Sequence, residues 1–123
     1  MPDDMAQPIV SNLRQDGDAV RAAVHGDIDL HNSPQMRLSL LEALHQFSPK
    51  RLILDLAGVP YMDSSAVAVL VELLQKMRRS GGRVELSNLQ PRVKGLLEIA
   101  RVDTIFVIIT TSVTVVPPRT NVP

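Results

Sequence analysis

The run Leu52-Ile53-Leu54-Asp55-Leu56 leads through one short loop into Asp63-Ser64-Ser65 and then straight into an apolar helix pattern. No other stretch constrains the fold as much. The run is almost continuously apolar and of strand length, which predicts a central strand covered on both faces. From Ser64 onward the apolar spacing changes: Ala66, Val67, Val69, Leu70, Leu73, Leu74 and Met77 recur at helical intervals. Ser80-Gly81-Gly82 is the stop signal. Glu72 and Lys76 stand one turn apart, placed to pair on the exposed side of this helix.

The flanking patterns extend the unit. Val10 to Leu13 is a short strand candidate, and Gln15-Asp16-Gly17-Asp18 signals a tight turn. Val20, Ala22 and Val24 alternate with Arg21, Ala23 and His25, the period of a strand with one buried face. Gly26 to Asn32 is a polar loop. Ser33-Pro34 starts a helix with the stripe Met36, Leu40, Leu41, Leu44 and Phe47, and Ser48-Pro49 ends it. Val84-Glu85-Leu86 is a short strand. Gln90-Pro91 starts a third helix with Val93, Leu96, Leu97 and Ala100 on one face, and Ile105 to Ile109 is a last, β-branched strand. This order predicts an α/β domain: a mixed, mostly parallel sheet with an N-terminal β-hairpin and helices packed on it.

At 123 residues the chain fits one domain. We divide it into a flexible N-terminus (1–8), the folded domain (9–110) and an extended or disordered tail (111–123), where β-branched residues run into Pro117-Pro118. The absence of cysteine removes disulfides, thiolate metal sites and cysteine nucleophiles. Lys and Arg total 13, as do Asp and Glu, and the only aromatics are Tyr61, Phe47 and Phe106. Balanced charge and few stacking rings argue against direct nucleic-acid binding. No basic start followed by an apolar run marks a signal peptide. The longest apolar stretch, Ile105 to Val116, is interrupted by hydroxyls and falls short of the roughly 18 residues that a span needs. A cytoplasmic protein with no membrane partner and no cofactor is expected.

Asp63-Ser64-Ser65 is where chemistry is expected. Two hydroxyls lie at a helix N-terminus, at the carboxyl end of a strand, where ligands and modifications sit in α/β sheets. The first turn has free amides and a partial positive charge. A phosphate is tolerated there. A phosphoserine adds a charge of about −1.5 to −2, which the adjacent Asp63 repels. Val59, Pro60, Tyr61, Met62, Ala66 and Val67 surround the site with apolar residues. If they form a docking face, phosphorylation places an uncompensated charge in it. The same tripeptide is also an ordinary helix cap, and the two roles are compatible.

Residues Tyr61 to Ala100 resemble the signature stretch of STAS domains, the family of sulfate transporters and anti-sigma-factor antagonists. Upstream, Gly26-Asp27-Ile28-Asp29 and the helix start through Arg37 resemble the family's G-[ED]-[IL]-D loop and first helix. The resemblance spans about Val20 to Ile109 and implies a single STAS (SpoIIAA-like) domain. It implies a non-enzymatic anti-sigma-factor antagonist. Unphosphorylated, such a protein binds an anti-sigma factor that is also a serine kinase, and so frees a sigma factor. The kinase phosphorylates the first serine of the motif, here Ser64, and a PP2C-type phosphatase reverses this. By the same correspondence Asp29 is the loop acid beside the phosphosite, Asp63 the acid before it, and Ser65 the unmodified hydroxyl. Asp27, His31, Tyr61, Met62 and Val67 are then expected to meet the partner. Two departures stand out. Ala66 replaces the usual glycine, which brings a methyl near Ser64. The segment Thr110 to Pro123 lacks the pattern of a final helix, so the apolar surface left bare is a candidate homodimer or partner site.

Three rivals are weaker. A hydrolase would need Ser64, Asp63, Asp29 and a histidine (His25, His31 or His45) to assemble, but no G-x-S-x-G elbow is present. A metal at Asp27, Asp29 and His31 lacks a second ligand cluster. A stand-alone STAS module serving a stressosome or a lipid or anion transport complex shares the fold without the switch.

Overall fold

The computed structural model describes residues 8–109. The segments read as lead-in and tail lie, apart from Pro8, outside the described residues. Strand β1 (Val10–Asp16) turns at Gly17 into β2 (Ala19–His25). Helix α1 (Ser33–Phe47), β3 (Arg51–Gly58), α2 (Ser64–Arg79), β4 (Arg83–Ser87), α3 (Pro91–Ile99), a 3-10 turn (Asp103–Ile105) and β5 (Val107–Ile109) follow. The sheet order is β1-β2-β3-β4-β5; β1 runs antiparallel to β2 and all other pairs are parallel. Among the described residues no helix is long and apolar enough to cross a membrane.

Each parallel crossover moves one strand further in the same direction. Because such crossovers are right-handed, the helices fall on one face of the sheet. The core is therefore one-sided. Val20, Ala22, Val24, Leu52, Leu54, Leu56, Val84 and Leu86 project from the sheet into a cluster with Met36 and Leu40 of α1, Leu70, Leu73 and Met77 of α2, and Val93 and Leu97 of α3. The centre of β3 is buried on both faces, as expected, but helices supply the cover on one face only. On its other face Ile53 lies between Arg21 of β2 and Glu85 of β4 in register, outside the core cluster. Ile53 is nonetheless only 4% exposed. Its register neighbours there, Arg21 and Glu85, carry long side chains, whose stems can cover apolar surface while their heads stay wet.

Glu85 anchors that polar face. Arg51 Nε and Nη2 donate to its carboxylate at 2.9 and 3.2 Å, and Arg83 Nε donates at 2.7 Å. The Arg51 hydrogen bond, with help from Arg83, holds the Glu85 carboxyl below the usual glutamate value although burial pushes the other way. A folded-state value below the unfolded one means stability that is present above about pH 4.5 and lost as the pH falls through the folded value. Arg51→Ala is expected to cost about 2 kcal/mol at pH 7, by leaving a buried carboxylate short of a donor. The deficit should shrink between pH 7 and pH 3, because the variant's Glu85, without its Arg51 hydrogen bond, takes up a proton at higher pH than the wild type's. Urea unfolding of both proteins at the two pH values measures it; an unchanged deficit at pH 3 would mean that Arg51 acts only by packing.

Smaller differences from the sequence reading have local causes. Glu72 does not take Lys76 as its hydrogen-bonded partner. Arg37 reaches across from α1 and binds it in a two-pronged pair at 2.7 and 2.8 Å, tying α1 to α2. The last strand begins at Val107, because Ile105 belongs to the 3-10 turn and Phe106 turns into the core. Ser33 is not the cap of α1. Asn32 precedes it as N-cap without a side-chain capping bond, and Ser33 is buried as the first helical residue.

Candidate functional site

Since β2, β3 and β4 are parallel, the three loops that follow them open at one edge of the sheet. Those after β2 and β3 are stitched together by backbone. The Ile28 amide donates to Tyr61 O at 3.0 Å, and the Asp63 amide donates to Ile28 O at 3.0 Å, making an isolated parallel bridge between Ile28 and Met62. Below the stitch, the Gly26 amide donates to Gly58 O at 2.8 Å. Gly58 has to be glycine: a Cβ there would sit 2.8 Å from His25 Nδ1. Gly26 takes a φ of +88°, which L side chains rarely adopt.

The Asp29 loop is closed by its own side chains. The Asp29 carboxylate accepts the His31 amide at 2.9 Å, and Asn32 Oδ1 accepts the Asp29 amide at 2.8 Å. Asn32 Nδ2 donates to Asp27 O at 2.9 Å. These side-chain-to-backbone bonds are the turn chemistry of Asp and Asn.

Asp63 caps α2. Its carboxylate accepts from the Ser65 amide at 2.9 Å, the Ser65 hydroxyl at 2.5 Å and the Ala66 amide at 3.4 Å. The Ser65 hydroxyl, then the Ser65, Ala66 and Leu30 amides, hold the Asp63 carboxyl below its ordinary value against a smaller opposing effect of burial. The two serines are thereby made different. Ser65 is half-buried and held by Asp63. Ser64 is the first residue of the helix and exposed, and its hydroxyl makes no hydrogen bond among the described residues.

The other expected site residues divide by burial. Asp27, His31 and Tyr61 are exposed on the loops around Ser64. Met62 and Val67 are 2% and 8% exposed, and their side chains pack in the core. Both were expected to meet a partner; in the structure the bridge to Ile28 turns Met62 inward, and Val67 belongs to the core cluster. Ala66 is fully buried, so its methyl joins the core rather than the exposed side that carries Ser64. His31 Nδ1 stands 3.7 Å from Asp29, His25 is bonded to Ser11, and His45 is exposed on α1. No histidine is hydrogen-bonded to Ser64.

Two residues at this edge were not singled out from sequence. Leu30, 73% exposed, projects from the Asp29 loop, and its amide helps to hold the Asp63 carboxylate. Its sequence signal is a leucine set between acidic and basic residues in a polar loop. Arg92, at the start of α3, lies over the Tyr61 ring at 5.3 Å from the centroid. No local pattern connects them, because the contact depends on the third loop reaching the same edge. Gln90 helps to bring it there by donating to Ala57 O at 2.6 Å.

A family profile described as the STAS domain matches residues 11–115. The chain belongs to the STAS domain family. An anti-sigma-B factor antagonist of Bacillus subtilis is 28% identical over 88 residues, covering 72% of this chain and 79% of that protein. The STAS chain is also 36% identical over 84 residues to a Bacillus subtilis protein named as a sulfate transporter, YvdB. That match covers 68% of this chain and 16% of the transporter. Among solved structures, the anti-sigma factor antagonist SpoIIAA in its unphosphorylated form superposes with a TM-score of 0.69 at 20% identity, covering 86% of this chain and 90% of that one. The phosphorylated Bacillus SpoIIAA gives 0.64 at 20% identity, covering 85% and 95%. These likenesses establish a SpoIIAA-like fold.

Proposed function

We propose that this STAS domain is an anti-sigma-factor antagonist whose binding is switched by phosphorylation of Ser64. Unphosphorylated, it sequesters an anti-sigma factor that is also a serine kinase, and a sigma factor is released. Phosphorylated, it lets that partner go until a PP2C-type phosphatase restores it. The reading rests on one observation. Of the two adjacent serines, Ser64 is exposed with a free hydroxyl at the start of α2, whereas Ser65 is tied to Asp63. The relatives named as antagonists lend it further support.

The site is suited to such a switch. The partial positive charge at the start of α2 gives a phosphate some local relief. Asp27, Asp29 and Asp63 on the stitched loops add negative charge at the same edge, so a phosphate changes an acidic surface into a strongly anionic one. Leu30, Tyr61 and His31 supply the exposed groups that a partner meets.

The test is a pull-down from an extract of the native cells, with phosphate located by mass spectrometry. Wild type and Ser65→Ala are expected to carry phosphate on residue 64, Ser64→Ala to carry none, and all three to capture a kinase-like anti-sigma factor. Phosphate on Ser65, or capture of transporter or stressosome subunits regardless of Ser64, would overturn the reading. The second outcome would assign the chain to the scaffold role that its likeness to a transporter segment suggests.

A further inference from the structure

The loops after β2, β3 and β4 reach one edge of the sheet in strand order, and the sign of their charge changes along that line. The first two carry Asp27, Asp29 and Asp63, with Leu30 and Tyr61 exposed among them. The third brings Arg92, at the start of α3, to the same edge. A partner of complementary charge can dock on such an edge in one direction only.

Nothing within the domain accounts for Arg92. The first turn of α3 holds no acid, and a cation is unfavourably placed at the positive end of a helix. Among the described residues its side chain makes no hydrogen bond or ion pair. Its contact is the Tyr61 ring, 5.3 Å from the centroid. A cation–π contact uses the charge and leaves the guanidinium N–H donors unspent. Both partners of this contact are fixed by their backbone surroundings. Tyr61 O accepts the Ile28 amide at 3.0 Å, and the neighbouring Gln90 is tied to Ala57 O at 2.6 Å. A guanidinium held over a ring is a planar fork set in place before binding, suited to a carboxylate in the two-pronged manner of Arg37 and Glu72. Tyrosine and arginine are also the residue types on which binding energy at interfaces concentrates.

We infer that Arg92, lying over Tyr61, receives an aspartate or glutamate carboxylate of the anti-sigma factor, and that an apolar side chain of that partner rests on Leu30 and Tyr61. The inference rests on the antagonist role proposed above and adds the chemistry that the partner must present. The test uses the anti-sigma factor captured by wild type, purified and titrated by calorimetry against wild type, Arg92→Glu, Arg92→Lys, Tyr61→Leu and Ser64→Asp. Arg92→Glu should weaken binding about 30-fold or more. Arg92→Lys keeps the charge without the fork and should lose about fivefold. Tyr61→Leu should lose about tenfold, and Arg92→Glu added to it should cost less than Arg92→Glu alone. Both side chains are exposed, so the melting temperatures should not change. Tyr61 is the only tyrosine. Isotope-labelled tyrosine therefore gives one set of ring NMR signals, which should shift when the partner binds. Wild-type affinity in Arg92→Glu, with binding still lost in Ser64→Asp, would overturn this inference and leave the antagonist reading standing. Ring signals that stay in place on binding would do the same. Capture of no anti-sigma factor would remove both.

Discussion

Ser64→Asp is expected to weaken binding of the captured anti-sigma factor by roughly 30-fold to several thousand-fold, while Ser64→Ala binds like wild type. The range follows from the cost of an uncompensated charge at a desolvated contact, on the order of 2–5 kcal/mol, at about 1.4 kcal/mol per decade of affinity. Its size depends on what can neutralise the new carboxylate. The α2 amides offer partial relief, but the Ser65 and Ala66 amides are already engaged by Asp63. The loops stitched to the site bring Asp27 and Asp29, and no arginine approaches Ser64 within bonding distance among the described residues. Calorimetry or surface plasmon resonance with purified partner measures the ratio. A loss under threefold would remove charge as the switch. An equal loss in Ser64→Ala would show that the hydroxyl itself is the contact.

Leu54→Ala should be the most damaging simple truncation. Leu54 is fully buried in the central strand, and its register neighbours are Ala22 and Leu86. A sheet flanked by strands on both sides cannot close inward around the missing methyls, and Ala22 is too small to fill the gap. Large-to-small changes at such sites cost about 2–5 kcal/mol. A cost near 3 kcal/mol lowers the melting temperature by on the order of 10 °C for a domain of this size. Leu38→Ala is the control: Leu38 is 64% exposed on α1, and its loss should stay within about 0.5 kcal/mol. Similar melting temperatures for the two variants would contradict the one-sided core.

What could be seen in the sequence was local, and what could not was relational. Strand-length and helix-period patterns carried β2, α1, β3, α2, β4 and α3, because each reflects the face that its own residues bury. The Asp63-Ser64-Ser65 tripeptide marked the site, because capping is decided within one helical turn. Ile53 is buried as its apolar run suggests, but its surroundings could not be read from that run. Only the register beside Arg21 and Glu85 places it on the polar face. Met62 and Val67 show a related gap: sequence places them beside Ser64, but their burial is visible only once the sheet below them is known. The Arg37–Glu72 pair spans 35 residues, so the nearer Lys76 was the natural expectation. Ile105 sits in a β-branched run whose strand propensity yielded to the 3-10 turn needed to bury Phe106.

The stitch between Ile28 and Met62 has a bearing on when in its life the chain can act. The exposed serine, its cap and the acidic loop beside it are drawn from two segments more than thirty residues apart, and two backbone hydrogen bonds hold them in place. A peptide spanning Val59 to Leu70 contains the serine but lacks the frame, since Ile28 and the Leu30 amide are elsewhere. A chain still emerging from the ribosome is in the same position until β3 has paired with β2. The surface around Ser64 is thus a property of the finished sheet, and under the proposed switch a kinase that recognises it inspects the fold in the act of choosing its substrate.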